Sequence, residues 1–331
     1  MITIAINGFG RIGRRVFSLL HEHREIRVVG INDLTDAKTL SHLLKYDSIH
    51  GVFNASIASE KNCLIVNDIK IPISNCANLR DLNWNSRDID IIIESTGKFK
   101  SKAALKYHLK NGVKKVILTA PPESDDILTI VLGVNDHLIK ENESIISNAS
   151  CTTNNAAPMI SVIDKLAQIK QAYITTVHSY TTDQSLHDQP HRDLRRARAA
   201  GQSIVPTTTG AAKALTKIFP KLANVIGGCG IRVPVPNGSL TDITFNVTKT
   251  VSVLEINNAF KKASENRFKG IIEYTEDPIV SVDVLGNSHS CVFDAQMTSV
   301  IGNMVKIIGW YDNETAYSYR IIELIDKLSK S

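Results

Sequence analysis

Residues 3–17 read TIAINGFGRIGRRVF, and their order decides how the first part of the chain folds. An apolar strand pattern runs into Gly8-x-Gly10-x-x-Gly13, and a helical pattern begins at once. In a strand–turn–helix of this kind the first glycine permits the tight turn and the second lets a diphosphate approach the backbone. The third lets helix and strand pack closely. Free N–H groups and the dipole at the helix N-terminus favour the anion. Three glycines alone are a weak signal, and the plain alternative is a glycine-rich turn with Asp33 capping the next helix. The context favours a dinucleotide, because Asp33 closes VVGIND about 20 residues beyond Gly13. A carboxylate there accepts hydrogen bonds from both ribose hydroxyls and repels a 2′-phosphate, so the expected cofactor is NAD rather than NADP.

Outward from this motif, apolar strands are expected at 3–7, 26–32, 89–95, 115–120, 128–131 and 144–148, with helices at 10–23, 38–45 and 103–111. Strands alternating with helices make βαβ units and a parallel sheet. Unbroken apolar runs such as IDIIIES suit a sheet covered on both faces. After Cys151 the rhythm changes. A helix at 152–168 precedes strands at 172–180, 229–234, 240–248, 292–295 and 304–310, with fewer helices between them. The expected fold is therefore α/β. A doubly wound (Rossmann) dinucleotide-binding domain covers 1–150, and an α+β domain with a mixed, largely antiparallel sheet covers 151–313. A last helix over 314–331 brings Tyr317, Ile321, Ile322, Leu324, Ile325 and Leu328 to helical spacing and needs a covering surface, for which the first domain is expected. The segment 181–206 shows no regular pattern; a long structureless loop in a compact domain usually serves a function or an interface.

The 331 residues suffice for two ordinary domains, and 43% hydrophobic with 21% charged residues is the composition of a soluble globular chain. A net charge of +5 is compatible with an anionic ligand but does not by itself call for nucleic acid. The five cysteines, Cys63, Cys76, Cys151, Cys229 and Cys291, are scattered and form no CxxC pair, which argues against a disulfide framework or a metal cage and for a reducing compartment. No basic-then-apolar leader opens the sequence and no apolar run reaches membrane-spanning length, so a cytoplasmic location without membrane contact is expected.

Residues 147–155 read SNASCTTNN and place Cys151 where a strand hands over to a helix. A thiol at a helix N-terminus is expected to have its pKa lowered, giving the thiolate that covalent catalysis needs. A lone cysteine is more often an inert core residue. His178, at the end of the strand AYITTVH, supplies a base that could activate it. A structural histidine is the plain alternative, and sequence alone does not show that the two side chains meet.

In order along the chain stand INGFGRIGR, KYDSIHG, ESTGKF, SNASCTTN, TVHSYT, LRRARAA, IVPTTTGAAKA, RVPVPNGS and WYDNE. Together they resemble the phosphorylating glyceraldehyde-3-phosphate dehydrogenases over essentially the whole chain. The resemblance implies oxidation of D-glyceraldehyde 3-phosphate with NAD and inorganic phosphate to 1,3-bisphosphoglycerate, a glycolysis and gluconeogenesis step. It implies that Cys151 forms a thiohemiacetal and then a thioester, with His178 as base. Thr181 and Arg232 would hold the substrate phosphate, with Ser150, Thr152, Arg196, Thr209 and Gly210 completing the anion-binding surface. On the cofactor side it adds Arg11, Ile12, Thr119 and Asn313 to Gly8, Gly10, Gly13 and Asp33. It implies a homotetramer with 181–206 at an interface, and no metal.

Three departures stand out. Asn155 occupies the place of a second cysteine four residues after the nucleophile, which excludes a Cys–Cys pair there. Ala316 stands where the family usually has glycine, and would strain the nicotinamide pocket if that glycine needs a positive φ. Gln189 and the pair Asn237-Gly238 are also atypical. Erythrose-4-phosphate dehydrogenase is the near alternative, disfavoured by TTTGAAKA. A non-phosphorylating aldehyde dehydrogenase is disfavoured by Arg196, Thr209 and Gly210. A non-catalytic nucleotide- or RNA-binding protein is suggested by Arg192, Arg195, Arg196 and Arg198. Against nucleic acid as its main partner, Asp188 and Asp193 interrupt that charge and no aromatics interleave for base stacking.

Overall fold

The computed structural model describes residues 1–21, 23–84, 88–110 and 112–330. Residues 22, 111 and 331, within or at the ends of three expected helices, lie outside that range. The chain divides into two compact units. One comprises Met1–Ile130, Leu138–Ala149 and Ser318–Ser331, the other Val131–His137 and Ser150–Tyr317.

In the first unit the chain runs β1 (Ile2–Asn7), α1 (Arg11–Leu20), β2 (Ile26–Asn32) and α2 (Ala37–Lys45). The short ribbon β3 (Tyr46–Asp47) and β4 (Gly51–Val52) follows, then β5 (Ile57–Glu60), β6 (Cys63–Val66) and β7 (Ile69–Ser74). The unit continues with β8 (Ile91–Glu94), α3 (Lys102–Leu109), β9 (Lys115–Leu118), β10 (Leu128–Thr129) and β11 (Ile145–Ser147). The sheet has the order β10-β11-β9-β8-β1-β2-β7-β6-β5. From β10 to β7 neighbouring strands are parallel, while β7-β6-β5 is an antiparallel extension. Ile4, Ala5 and Ile6 of β1, like Ile91, Ile92 and Ile93 of β8, are buried on both faces, as a covered parallel sheet requires. From β1 the chain winds to β2 on one side and later returns to β8 on the other. This puts the switch point, where doubly wound sheets bind ligands, at the end of β1.

The turn there depends on two glycines. Gly8 has φ +94°, and a Cβ on it would come within 2.6 Å of the Thr96 backbone nitrogen. A Cβ on Gly13 would fall 2.2 Å from the Gly8 carbonyl oxygen, so α1 packs against its own turn with no room for a methyl. Gly13→Ala is expected to cost about 3 kcal/mol, because backbone rather than a pliable side chain must give way. Denaturant unfolding measures this; unchanged stability together with unchanged NAD affinity would refute the packing argument.

The hairpins between α2 and β8 have no counterpart in the sequence reading. Their strands are short, β5 and β7 mix polar with apolar residues, and the apolar run CLIV of β6 is only four residues long. A local signal exists at Asn67-Asp68, whose φ values of 45° and 65° make the turn between β6 and β7 of the type these residues favour.

The second unit contains α4 (Cys151–Ala167), β12 (Ile169–Ser179), β13 (Val205–Thr207), α5 (Ala211–Ile218), β14 (Ile226–Val233) and β15 (Ser239–Val247). Next come α6 (Val253–Glu265), β16 (Ile272–Thr275), β17 (Cys291–Asp294), β18 (Ser299–Ile301), β19 (Met304–Tyr311) and α7 (Thr315–Ser329), whose residues from Ser318 belong to the first unit. Its sheet has the order β13-β14-β12-β15-β19-β17-β16, with β18 beside β19, and is mixed and largely antiparallel as expected. The unforeseen α6 opens with a capping box in which Ser252 and Glu255 satisfy each other's backbone N–H groups, an S-x-x-E signature visible in the sequence. The segment 181–206, expected to be irregular, has only turns and bends up to β13, yet it is folded back on itself. Ser185 N–H donates to Arg196 O, Ala200 N–H to Ser185 O and Gln189 N–H to Ala197 O, and its end forms β13. In α7, Ile321, Leu324 and Ile325 are fully buried.

Candidate active site

Cys151 is the first residue of α4. The Ser150 side chain caps that helix by accepting the Thr153 N–H at 3.1 Å, and its hydroxyl lies 2.7 Å from the Thr153 hydroxyl. Met159, Ile160 and Ile163 bury one face of α4, which fixes the direction of its N-terminus. Ahead of the cap, Ala149 adopts φ +56°, a left-handed conformation that costs a non-glycine residue about 1–2 kcal/mol.

His178 lies near the end of β12, directly beside Arg232 of β14 in the parallel register. Its Nε2 stands 3.4 Å from the Cys151 Sγ. Its Nδ1 lies 2.8 Å from Ser179 O and 2.7 Å from Arg232 Nη1, which also donates to Ser179 O at 2.9 Å. A guanidinium only donates and a carbonyl only accepts, so Nδ1 either accepts from Arg232, with the ring proton on Nε2 facing sulfur, or donates to Ser179 O and leaves the Nε2 lone pair toward sulfur. Burial and the Arg232 charge push His178 down to about 3. Burial also pushes the Cys151 thiol up, opposed by the Arg232 charge and the Thr152 N–H. The lowered pKa expected from the helix N-terminus is thus overridden. The dipole contribution is present but smaller than the cost of taking a thiolate from water, and the resting pair is a thiol beside a neutral imidazole.

Around this pair the Tyr311 hydroxyl, at the end of β19, lies 2.9 Å from Thr152 Oγ1 and 3.0 Å from Thr176 Oγ1, and its ring meets the His178 ring edge-on. Arg196 stands close enough to His178 for its charge to help depress that ring. Its guanidinium pairs with Asp183, and its Nε donates to Thr207 Oγ1 at 3.0 Å. Thr209 Oγ1 accepts the Ala211 N–H at 3.2 Å at the start of α5, where Gly210 is the cap residue and is exposed. Thr181 is half-buried two residues beyond β12, with its carbonyl accepting the Gln184 N–H. The structure therefore brings Cys151, His178, Arg232 and Thr152 together, and sets Arg196 against carboxylates.

Asn313 is positioned by partners that the sequence reading did not single out. Its Oδ1 accepts from the hydroxyls of Ser179 and Ser239 at 2.9 and 3.0 Å, which orients its Nδ2 as the donor end. The preceding Asp312 accepts from Asn237 Nδ2 and from the backbone N–H groups of Glu314 and Thr315. Ala316 is in the first turn of α7 and is absent from the positive-φ residues, so the strain anticipated there does not arise. Asn155 is fully buried, and its Nδ2 donates to the carbonyls of Ser290, Gly309 and Trp310, tying α4 to β19. Among the described residues no group of histidine, cysteine and carboxylate side chains is arranged to hold a metal, and no helix is long and apolar enough to cross a membrane.

In the first unit a groove of about 280 Å³ is lined by Gly8, Gly10, Asn32, Asp33, Ser95 and Thr96, among others. The Asp33 carboxylate accepts the N–H of Phe9 at 2.7 Å and of Thr35 at 2.9 Å. Each oxygen keeps a further lone pair for a ribose hydroxyl. With a turn that excludes any Cβ at Gly8 and Gly13, these donors and acceptors fit a dinucleotide. Arg11 makes a bidentate pair with Asp47 at 2.8 and 3.1 Å, and Ile12 follows it in α1. Thr119 is held by its N–H and hydroxyl to Glu94 O.

Two family models match this chain. "Glyceraldehyde 3-phosphate dehydrogenase, NAD binding domain" matches residues 2–102, and "Glyceraldehyde 3-phosphate dehydrogenase, C-terminal domain" matches residues 150–313. The glyceraldehyde-3-phosphate dehydrogenase of Borreliella burgdorferi is 51% identical over 337 aligned positions, covering 99% of this chain and all of that relative, 100%. That of Geobacillus stearothermophilus is 48% identical over 325, covering 98% and 97%. The first of the Bacillus cereus enzymes of that name is 47% identical over 326, covering 98% and 97%.

Proposed function

Because this chain belongs to the glyceraldehyde-3-phosphate dehydrogenase family, we infer that it oxidises D-glyceraldehyde 3-phosphate with NAD and inorganic phosphate to 1,3-bisphosphoglycerate, in glycolysis and gluconeogenesis. The observation that carries this reading is the 3.4 Å approach of Cys151 Sγ to His178 Nε2, with Arg232 beside the ring.

Cys151 adds to the aldehyde carbon, giving a thiohemiacetal whose hydroxyl proton passes to His178 Nε2. NAD, bound at the first unit's groove, would supply the hydride acceptor for that carbon. The Cys151 thioester keeps the acyl group activated until phosphate attacks its carbonyl and the thiolate leaves with the bonding pair, so oxidation energy is retained in an acyl phosphate. While Arg232 donates to Nδ1, Nε2 holds the ring proton and cannot serve as base. Substrate phosphate engaging Arg232 removes its N–H from Nδ1. Nδ1 then takes the ring proton and donates to Ser179 O, and Nε2 turns its lone pair to the reacting oxygen. Arg232 in this reading both holds the phosphate, with Thr181, and sets the tautomer of the base. Ser150, Thr152, Arg196, Thr209 and Gly210 hold the second anion, Arg196 by exchanging Asp183 for phosphate. Gly8, Gly10, Gly13, Arg11, Ile12 and Asp33 receive the dinucleotide, and Thr119 and Asn313 its nicotinamide end.

The NAD-binding domain in this reading spans 1–150 with the helix of 314–331, and the catalytic domain spans 151–313. The protein works as a homotetramer in the cytoplasm. The tetramer is supported by Leu186, Leu194 and Ile204, exposed by 71%, 81% and 69% in the folded-back segment, which call for cover by another copy.

NADH formation followed with and without inorganic phosphate tests the reaction. Sustained turnover is expected only with phosphate; without it, at most one equivalent of NADH per site should form as the thioester accumulates. Equal sustained turnover in both conditions would mean that water resolves the thioester, and the phosphorylating assignment would fall.

A further inference from the structure

The NAD groove of the first unit is backed by buried polar side chains to which none of the roles above is assigned. Glu94, the last residue of β8, is fully buried. Its Oε2 accepts from Asn7 Nδ2 at 2.6 Å and lies 3.0 Å from His108 Nε2. Its Oε1 accepts from the Thr96 N–H at 3.0 Å and from the Thr96 hydroxyl. Beyond these, Trp84 Nε1 donates to His108 Nδ1 at 3.2 Å, Asn32 Nδ2 donates to Asn7 Oδ1 at 2.7 Å, and the Cys76 N–H donates to Asn32 Oδ1 at 2.9 Å.

Three of these donors cannot reverse: the Trp84 indole N–H and the backbone N–H groups of Thr96 and Cys76. Trp84 forces the His108 proton onto Nε2. Cys76 fixes the amide of Asn32, and Asn32 fixes that of Asn7, so Asn7 presents its NH2 to Glu94. Every donation converges on one side chain, and only a group without donors can receive them all.

The far ends of this network form the wall of the groove. Asn7, Asn32, Cys76 and Thr96 line it, whereas Glu94 and His108 do not. The Thr96 nitrogen is the atom against which Gly8 packs, and Asn75, next to Cys76, donates to Asp33 O at 2.8 Å. We propose that Glu94 is a positioning residue for NAD: as the common acceptor it holds the turn at Gly8 and the loop carrying Asn75 and Cys76 in the shape that receives the dinucleotide. The role rests on NAD being the cofactor.

Glu94→Gln keeps the shape but sets an NH2 against a donor whichever way it turns, either the Thr96 N–H or Asn7 and His108. NAD affinity is expected to fall about tenfold, the size of one buried donor left facing a donor. Binding is read by calorimetric titration of the aldehyde-free protein with NAD. The rate at which iodoacetamide alkylates Cys151 in the NAD-free protein, and kcat at saturating NAD, should not change. His108→Leu should also weaken NAD, and His108→Gln, whose oxygen accepts from Trp84 while its NH2 donates to Glu94, should restore it; this pair decides the matter if Glu94→Gln does not fold. Unchanged NAD affinity in folded Glu94→Gln overturns the role, as does a matching fall in the alkylation rate, or His108→Gln binding as weakly as His108→Leu. A wild type that fails to bind NAD overturns the cofactor and this role together; normal wild-type binding with an unaltered variant overturns this role alone.

Discussion

Cys151→Ser is expected to fold, to bind NAD as the wild type does, and to turn over at least about 10⁴-fold more slowly. The size follows from the state of the pair. His178 is pushed down to about 3, so it is a weak base in the resting site. A thiol, even one raised by burial, still ionises far more readily than a serine hydroxyl and is intrinsically more nucleophilic. The substitution changes one atom at the head of α4 and leaves the Ser150 cap and the Tyr311 contact to Thr152 in place, so stability should hold. NADH formation under single-turnover conditions, with NAD titration of the same sample, separates chemistry from binding. Residual turnover within tenfold of wild type would remove Cys151 from the reaction.

The second large effect is that of His178→Asn. Loss of the base lowers kcat by about 10²–10⁴-fold, and the acid stability profile changes with it. In the folded protein His178 takes its proton only near pH 3, whereas unfolded it does so near its ordinary 6.5. Between those values the unfolded chain binds a proton that the folded chain does not, so acid favours unfolding and stability falls as pH drops through this window. At pH 4.5 this one group should already have cost about 3 kcal/mol relative to pH 8, rising to ~4 kcal/mol near pH 3. Asparagine does not titrate, so the variant should lose less stability between pH 8 and 4.5, by that difference. Urea unfolding at the two pH values measures it. Parallel losses in both proteins would show that His178 is not held neutral by its surroundings.

How much of this could be read beforehand differs from residue to residue. The turn at Gly8, Gly10 and Gly13, with Asp33 at the end of the next strand, was legible because every part of it is local: a strand, a tight reversal and a helix within a few residues. Cys151 at a helix start was legible for the same reason. The hairpins from β5 to β7 were less legible because β5 and β7 mix polar with apolar residues and the run CLIV in β6 is only four residues long, whereas α6 carries a capping box in its sequence. Glu94 gave no signal of its own, since a single carboxylate at a strand end looks the same whether it faces water or receives four donors from the protein.

By itself, then, the sequence determined the two sheets' characters, the dinucleotide turn, the family resemblance and a cysteine at a helix start, because these rest on periodicity and on residue types at fixed local spacing. Only the tertiary structure decided the chemical state of the site. The register of β12 against β14 sets Arg232 on His178 across more than fifty residues of chain, 54 by number, and burial together with that charge keeps the ring neutral. The loss of water around the half-buried Cys151 outweighs the helix N-terminus, and the helical backbone at Ala316 removes a strain that the family resemblance suggested. Protonation, tautomer and backbone strain depend on which groups burial brings together from distant parts of the chain, and no local pattern of residues encodes that.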